Sequence, residues 1–168
     1  MATITDDFNR ADATNLGANW SPGYSGSMQL GVASNQLYLA GSDYGRLAAR
    51  WNANTFGNAQ YTQIKVTALP ANQNTWLPIG ALQVSANGFS FYGLTYRHSS
   101  SFGYTFRIRN EIAGTNTEFT HQLSVNDVVR FEYDGVDTLT IKVNGSTVGT
   151  YTDPGTPRTG NGYIGLHS

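Results

Sequence analysis

Residues 79–112 read IGALQVSANGFSFYGLTYRHSSSFGYTFRIRNEI, three runs rich in β-branched and aromatic residues, broken by the turn formers Asn87-Gly88 and Ser99-Ser100-Ser101. No other stretch constrains the chain as much. Side chains alternate across a strand with period two, so this spacing predicts a three-stranded antiparallel meander. In the third run Phe102, Tyr104, Phe106 and Ile108 fall on one face, with Thr105, Arg107 and Arg109 on the other. In the first, Leu82 and Val84 take the apolar side and Ala81 and Gln83 the opposite one. The second run is apolar on both sides. Taking Tyr92, Leu94 and Tyr96 as core leaves Phe91, Gly93, Thr95 and Arg97 beside Arg107 and Arg109. One face is then core, and the other a surface of cations, hydroxyls and an aromatic ring.

The 168 residues suit a single domain spanning 1–168, long enough to bury a core without metals or disulfides. The absence of cysteine removes a disulfide framework, a thiol nucleophile and Cys-ligated zinc. Charged residues make up 12%, aromatics 12%, and there are 19 glycines, a balance that fits sheets surfaced by Thr, Ser, Asn and Gln. A net charge of −1 gives no field to gather nucleic acid or an anionic membrane. No apolar run reaches the roughly 20 residues that span a bilayer, and residues 1–9 are polar and acidic where a signal peptide would be basic and then apolar.

The remaining strands are short and evenly punctuated. Leu47, Ala49 and Trp51 alternate with Arg46, Ala48 and Arg50, and Thr62, Ile64, Val66 and Ala68 with Gln63, Lys65 and Thr67. A hairpin series follows, residues 128–133, Asp134-Gly135, residues 138–143, Asn144-Gly145 and residues 147–151. No segment holds a helical period over three turns, which favours two packed antiparallel sheets. The string Asp7-Phe8-Asn9-Arg10-Ala11-Asp12, then Leu16-Gly17 and Trp20, resembles the opening of concanavalin A-like (laminin G-like) jelly-roll domains. Gln36 to Leu39, Tyr61 to Ala68 and Gly162-Tyr163-Ile164-Gly165-Leu166 fall where that family places later strands, so the resemblance covers nearly the whole chain. It implies an all-β, antiparallel two-sheet sandwich of the concanavalin A-like jelly-roll type. It also implies one further strand pairing with the first, leaving a seam near Ile4 to Phe8 that is open or filled by another chain.

Candidate chemistry is sparse. Glu132, Asp134 and Asp137 imitate the alternate carboxylates of glycosidases, but Asp134-Gly135 is a ready type I′ turn, which places them at a hairpin tip. The histidines His98, His121 and His167 show no metal-ligand spacing, and Asp6, Asp7 and Asp12 suit turn capping as well as calcium. No catalytic set, metal site or cofactor is therefore expected. Trp20 and Trp51 read as core, whereas Trp76 lies in a polar loop before the meander, where its ring either stacks on a sugar or folds down to cap the end of the sandwich. The candidate contact surface is Trp76, Phe91, Arg97, Arg107 and Arg109, unless neighbouring Glu111, Glu118 or Asp127 neutralise the cations as surface pairs. A compact polar sandwich without catalytic set or export signal resembles phage virion modules, head decoration proteins or tail and fibre adhesins. That likeness implies a non-catalytic lectin-like protein on a virion surface, a homo-oligomer or part of a larger assembly, whose partner is a virion protein or cell-surface glycan. The alternatives are a polysaccharide hydrolase or lyase of the same fold, or a carbohydrate-binding module of a secreted, extracellular enzyme.

Overall fold

The computed structural model describes residues 4–22, 30–39, 49–69, 76–88, 90–99, 103–155 and 157–167, and among these no helix occurs. Phe102 and Leu47, assigned to strands from sequence, and the glycine-rich residues 23–29 lie outside them. The meander is present as β6 (Trp76–Val84), β7 (Tyr92–Ser99) and β8 (Gly103–Asn110), and β9 (Thr115–Thr120) extends it. On its other side lie β13 (Tyr163–Leu166), β4 (Ala49–Trp51) and β1 (Trp20–Pro22), giving a seven-stranded sheet in the order β1-β4-β13-β6-β7-β8-β9. The C-terminal strand thus sits inside the sheet. A second sheet runs β12 (Ser146–Thr152), β11 (Thr138–Val143), β10 (Val128–Tyr133) and β5 (Gln60–Lys65), and β2 (Leu30–Ala33) pairs with β3 (Gln36–Leu39) as a separate hairpin.

Tight turns fix the second sheet. Asp134 Oδ1 accepts the N–H groups of Val136, Asp137 and Thr138 at 2.8–3.0 Å, and Asn144-Gly145 adopts φ of 50° and 84°, the left-handed pair that a type I′ hairpin requires. Alternation then lays Val129, Phe131, Tyr133, Leu139, Ile141 and Val143 against Leu94, Tyr96, Phe106 and Ile108 of the large sheet. Tyr92, Leu94 and Tyr96 are core, as the alternation predicts. Val84 is not on their side. Gln83 has φ of 54°, and this left-handed residue breaks the period of two, turning Val84 to the other face with Ala81 and Phe91 while Leu82 stays in the main core.

Along one side the sandwich is sealed, because Phe119 of β9 lies flat on Gly149 of β12. A Cβ at Gly149 would approach that ring to 2.7 Å. Gly149→Ala is expected to lower stability by about 1–3 kcal/mol through overpacking. A urea midpoint equal to that of the parent would show that the two sheets can separate freely there.

Candidate functional site

The outer face of the large sheet is ordered by strand register. One row across it is Trp76, Arg97, Thr105 and Thr120, and the next is Pro78, Thr95, Arg107 and Glu118. A third crosses all seven strands as Ser21, Arg50, Gly165, Ala81, Gly93, Arg109 and Asn116. Trp76 is not in a loop. It is the first residue of β6, because Trp76 and Leu77 pair with Arg97 and Tyr96 of β7. The Arg97 and Arg107 guanidinium carbons lie 4.5 and 4.0 Å from the Trp76 ring centroid, over buried Thr95 and Thr105. Such cation–π contacts stabilise by about 0.5–1 kcal/mol each when exposed and hold the guanidinium planes in place.

Two acids complete this surface. Glu118 Oε1 accepts from Arg107 Nε at 2.8 Å and Nη2 at 2.6 Å, and Glu111 Oε2 accepts from Arg109 Nε. The neighbouring-acid pairing weighed from the sequence therefore exists for Arg107 and Arg109, whereas Asp127 instead caps the 124–127 turn. Phe91 does not belong to the exposed surface. It is fully buried, its ring 5.1 Å from that of His167, which also fills the space a side chain at Gly93 would take. No local pattern marks this cover, since His167 arrives from 76 positions further along the chain. Trp76, Arg97, Arg107 and Arg109 remain together, and Arg50, stacked 4.5 Å over Tyr163, adds a cation that sequence reasoning missed.

Among the described residues, the other open feature is the edge of β5 that faces away from β10. Val128 sends its carbonyl to Asn144, and Val66 exchanges bonds with Asn126 and Asp127, so by alternation the backbone groups of Tyr61, Gln63 and Lys65 point away from β10. Among the described residues none of them has a backbone partner. Beside this edge run two cavities, about 670 Å³ and 500 Å³, one on each side of residues 6–8. Ile79, Ile164 and Leu166 line the first, and Leu77 and Leu69 the second. Residues 4–8 form no strand. They are held off β5 by Asp6, whose carboxylate accepts from Arg10, from Trp20 Nε1 at 2.8 Å and from the Phe8 N–H at 2.9 Å.

A buried polar cluster closes one end of the sandwich. Asp153 accepts from the Tyr92 hydroxyl at 2.7 Å, Asn110 Nδ2 at 3.0 Å and the Gly155 N–H, while the Tyr92 oxygen accepts from the Arg158 N–H. Burial and the Asp153 carboxylate hold the Tyr92 phenol protonated far above the ordinary range, and burial pushes Tyr133 up to about 12. These groups pin the 153–158 loop to β7 and β8. Of the glycosidase-like acids only Asp134 and Asp137 lie at the hairpin tip; Glu132 stands inside β10, opposite Thr140 and Tyr61, between Arg130 at 2.5 Å and Lys142 at 2.6 Å, and Asp137 accepts from Thr138.

The fold is a concanavalin A-like jelly roll. It is similar to the crystal structure of the Emp47p carbohydrate recognition domain, with a TM-score of 0.56 at 12% identity, covering 97% of this chain and 84% of that one. No protein-family model matches the sequence, and no curated protein matches it.

The Asp6 hub makes a pH prediction. Burial alone would raise this carboxyl, but the bonds from Arg10, Trp20 and Phe8 outweigh it and hold it below its ordinary 3.8. A folded-state value below the unfolded one contributes stability above the ordinary value, lost as pH falls through the folded one. Asp6→Asn is therefore expected to melt lower at pH 7 and to lose less between about pH 5 and pH 3 than the parent. Parallel melting curves for both proteins across that range would show that Asp6 holds nothing in place.

Proposed function

We propose that this chain is a non-catalytic, lectin-like module of a phage virion surface, a capsid decoration protein or a tail or fibre adhesin, that binds glycan through the outer face of β6 to β8. The observation that carries this reading is Trp76 with the Arg97 and Arg107 guanidinium groups against its ring. A flat apolar ring beside planar donors suits a sugar, which offers a CH face and hydroxyl acceptors together. The likeness to a carbohydrate recognition domain supports this at the level of fold. A non-catalytic role is supported by the engagement of Glu132 with cations and of Asp134 and Asp137 with turn groups. The virion setting rests on the likeness of a compact polar sandwich without a catalytic set to phage virion modules.

Central aromatic and arginine anchors typically contribute about 1–3 kcal/mol each. Trp76→Ala and Arg107→Ala should each weaken glycan-array binding by about that amount, with the fold unchanged by circular dichroism. Equal array signals for parent and both variants would place the contact surface elsewhere.

The same proposal includes the partner. Donors and acceptors at Tyr61, Gln63 and Lys65 that no described residue pairs, above an apolar floor of Ile79, Ile164 and Leu77, suit one extended segment of a virion protein added alongside β5. On assembly, the amides of Tyr61, Gln63 and Lys65 should slow in hydrogen exchange by at least about tenfold, the mark of new backbone bonds. Unchanged exchange at these three amides in the assembled particle would rule out strand addition at this edge.

A further inference from the structure

The charges of this chain are divided by position. Among the described residues Asp6, Asp7, Asp12, Asp127, Asp134 and Asp153 each accept a backbone N–H in a turn or loop. Among the described residues the acids that reach the outer face of β6 to β9 are Glu111 and Glu118, against Arg97, Arg107 and Arg109. A net charge of −1 for the whole molecule therefore conceals a cationic face.

The two acids differ in what they leave available. The Glu111 side chain is 2% exposed and lies beneath the surface beside Arg109, which stays 23% exposed. Glu118 stands on the edge strand β9, 42% exposed, and grips Arg107 through Oε1 alone. An exposed, single-oxygen pair of this kind is worth little and exchanges readily. A carboxylate or sulfate on a ligand could take two oxygens to the same fork, a stronger arrangement than Glu118 makes. The Trp76 ring already fixes the Arg97 and Arg107 guanidinium groups, so less ordering remains to be done when an anion arrives.

Building on the glycan-binding reading of this face, we infer that its ligand is an acidic glycan, one carrying uronic acid carboxylates or sulfate esters, and that Glu118 is an internal counter-ion displaced on binding. Isothermal titration of the full chain with polygalacturonate and chondroitin sulfate, against dextran and galactomannan, tests this. Tighter binding of the acidic polymers is expected, weakening as salt is raised. Glu118→Gln should tighten acidic polymers about two- to fivefold, the value of an exposed pair, and leave neutral ones unchanged. Neutral polymers bound as tightly as acidic ones, or acidic binding indifferent to Glu118→Gln and Arg107→Ala, would overturn the acidic assignment while leaving glycan binding in place. No binding of either kind would remove the glycan reading together with this one.

Discussion

The inward face of β7 and β8 must be kept from water, and the rest of the structure follows from how that is done. Leu94, Tyr96, Phe106 and Ile108 are each at most 1% exposed. Each buried aliphatic or aromatic side chain of this kind stabilises by about 1.5–3 kcal/mol. Only a second sheet of matching breadth can cover such a row, and β10 and β11 supply it through Val129, Phe131, Leu139 and Ile141. The two hairpin turns hold these strands in the register that presents those residues together. Beyond β5 the second layer is continued by the β2–β3 hairpin, whose Leu30 and Val32 pack with Ala49 and Leu166 rather than with the main core. The layer is thus built from two pieces, and the groove along β5 lies where they fail to meet.

That junction explains why the two sides of the sandwich differ. At the β9 and β12 side one ring on one glycine is enough, because the sheets approach closely. At the β5 side the chain crosses as residues 6–8, and Asp6 binds it to Arg10 and Trp20 instead of to the strand. Phe8 has φ of 53°, so the backbone turns at the point where an extended partner for β5 would have to continue. Gln60 and Gln83 close the end of the groove, Gln60 Oε1 accepting the Gln83 N–H at 2.8 Å and its Nε2 donating to Gly162. Buried amides of this kind need every partner, which leaves that end little freedom to rearrange.

Local pattern made much of this legible. The meander, the Asn144-Gly145 turn and the inward side of β5 follow from alternation and turn chemistry at short range, whereas Asp134-Gly135 reads as a type I′ pair but has its positive φ at Gly135 alone, in a longer turn that runs from Asp134 to Thr138. What was not legible depended on distant segments. The place of residues 163–166 between β4 and β6 is a matter of strand order, which no local period encodes. Phe91 reads as outward from parity, correctly, yet is buried because His167 and Tyr163 lie over the same face. Val84 was misassigned because one left-handed residue, Gln83, resets the parity. Trp76 followed a polar run and so read as loop, whereas pairing with Arg97 draws it into the sheet. Of the candidate surface, the cluster of arginines was visible in β7 and β8, but their clamping on one indole was not.

The partition of acids by side-chain length connects the fold to that surface. Asp carries its carboxylate close enough to reach backbone N–H groups two or three residues away, and here it is used for turns. Glu is too long for that geometry on a strand and reaches sideways to a neighbour, as Glu118 reaches Arg107 and Glu132 reaches Arg130 and Lys142. In a chain with only 12% charged residues, assigning most acids to turns strips them from the sheet faces. Aromatic rings share in holding the long cations, alone or beside an acid: Trp76 under Arg97 and Arg107, Tyr163 under Arg50, and Tyr61 under Arg130 at 3.8 Å. Stacking on a ring leaves the in-plane donors of a guanidinium for other partners, and here they are used: Arg107 donates to Glu118, and Arg50 to the Ser85 and Ala86 carbonyls, so ring and acceptor together fix each cation on the face.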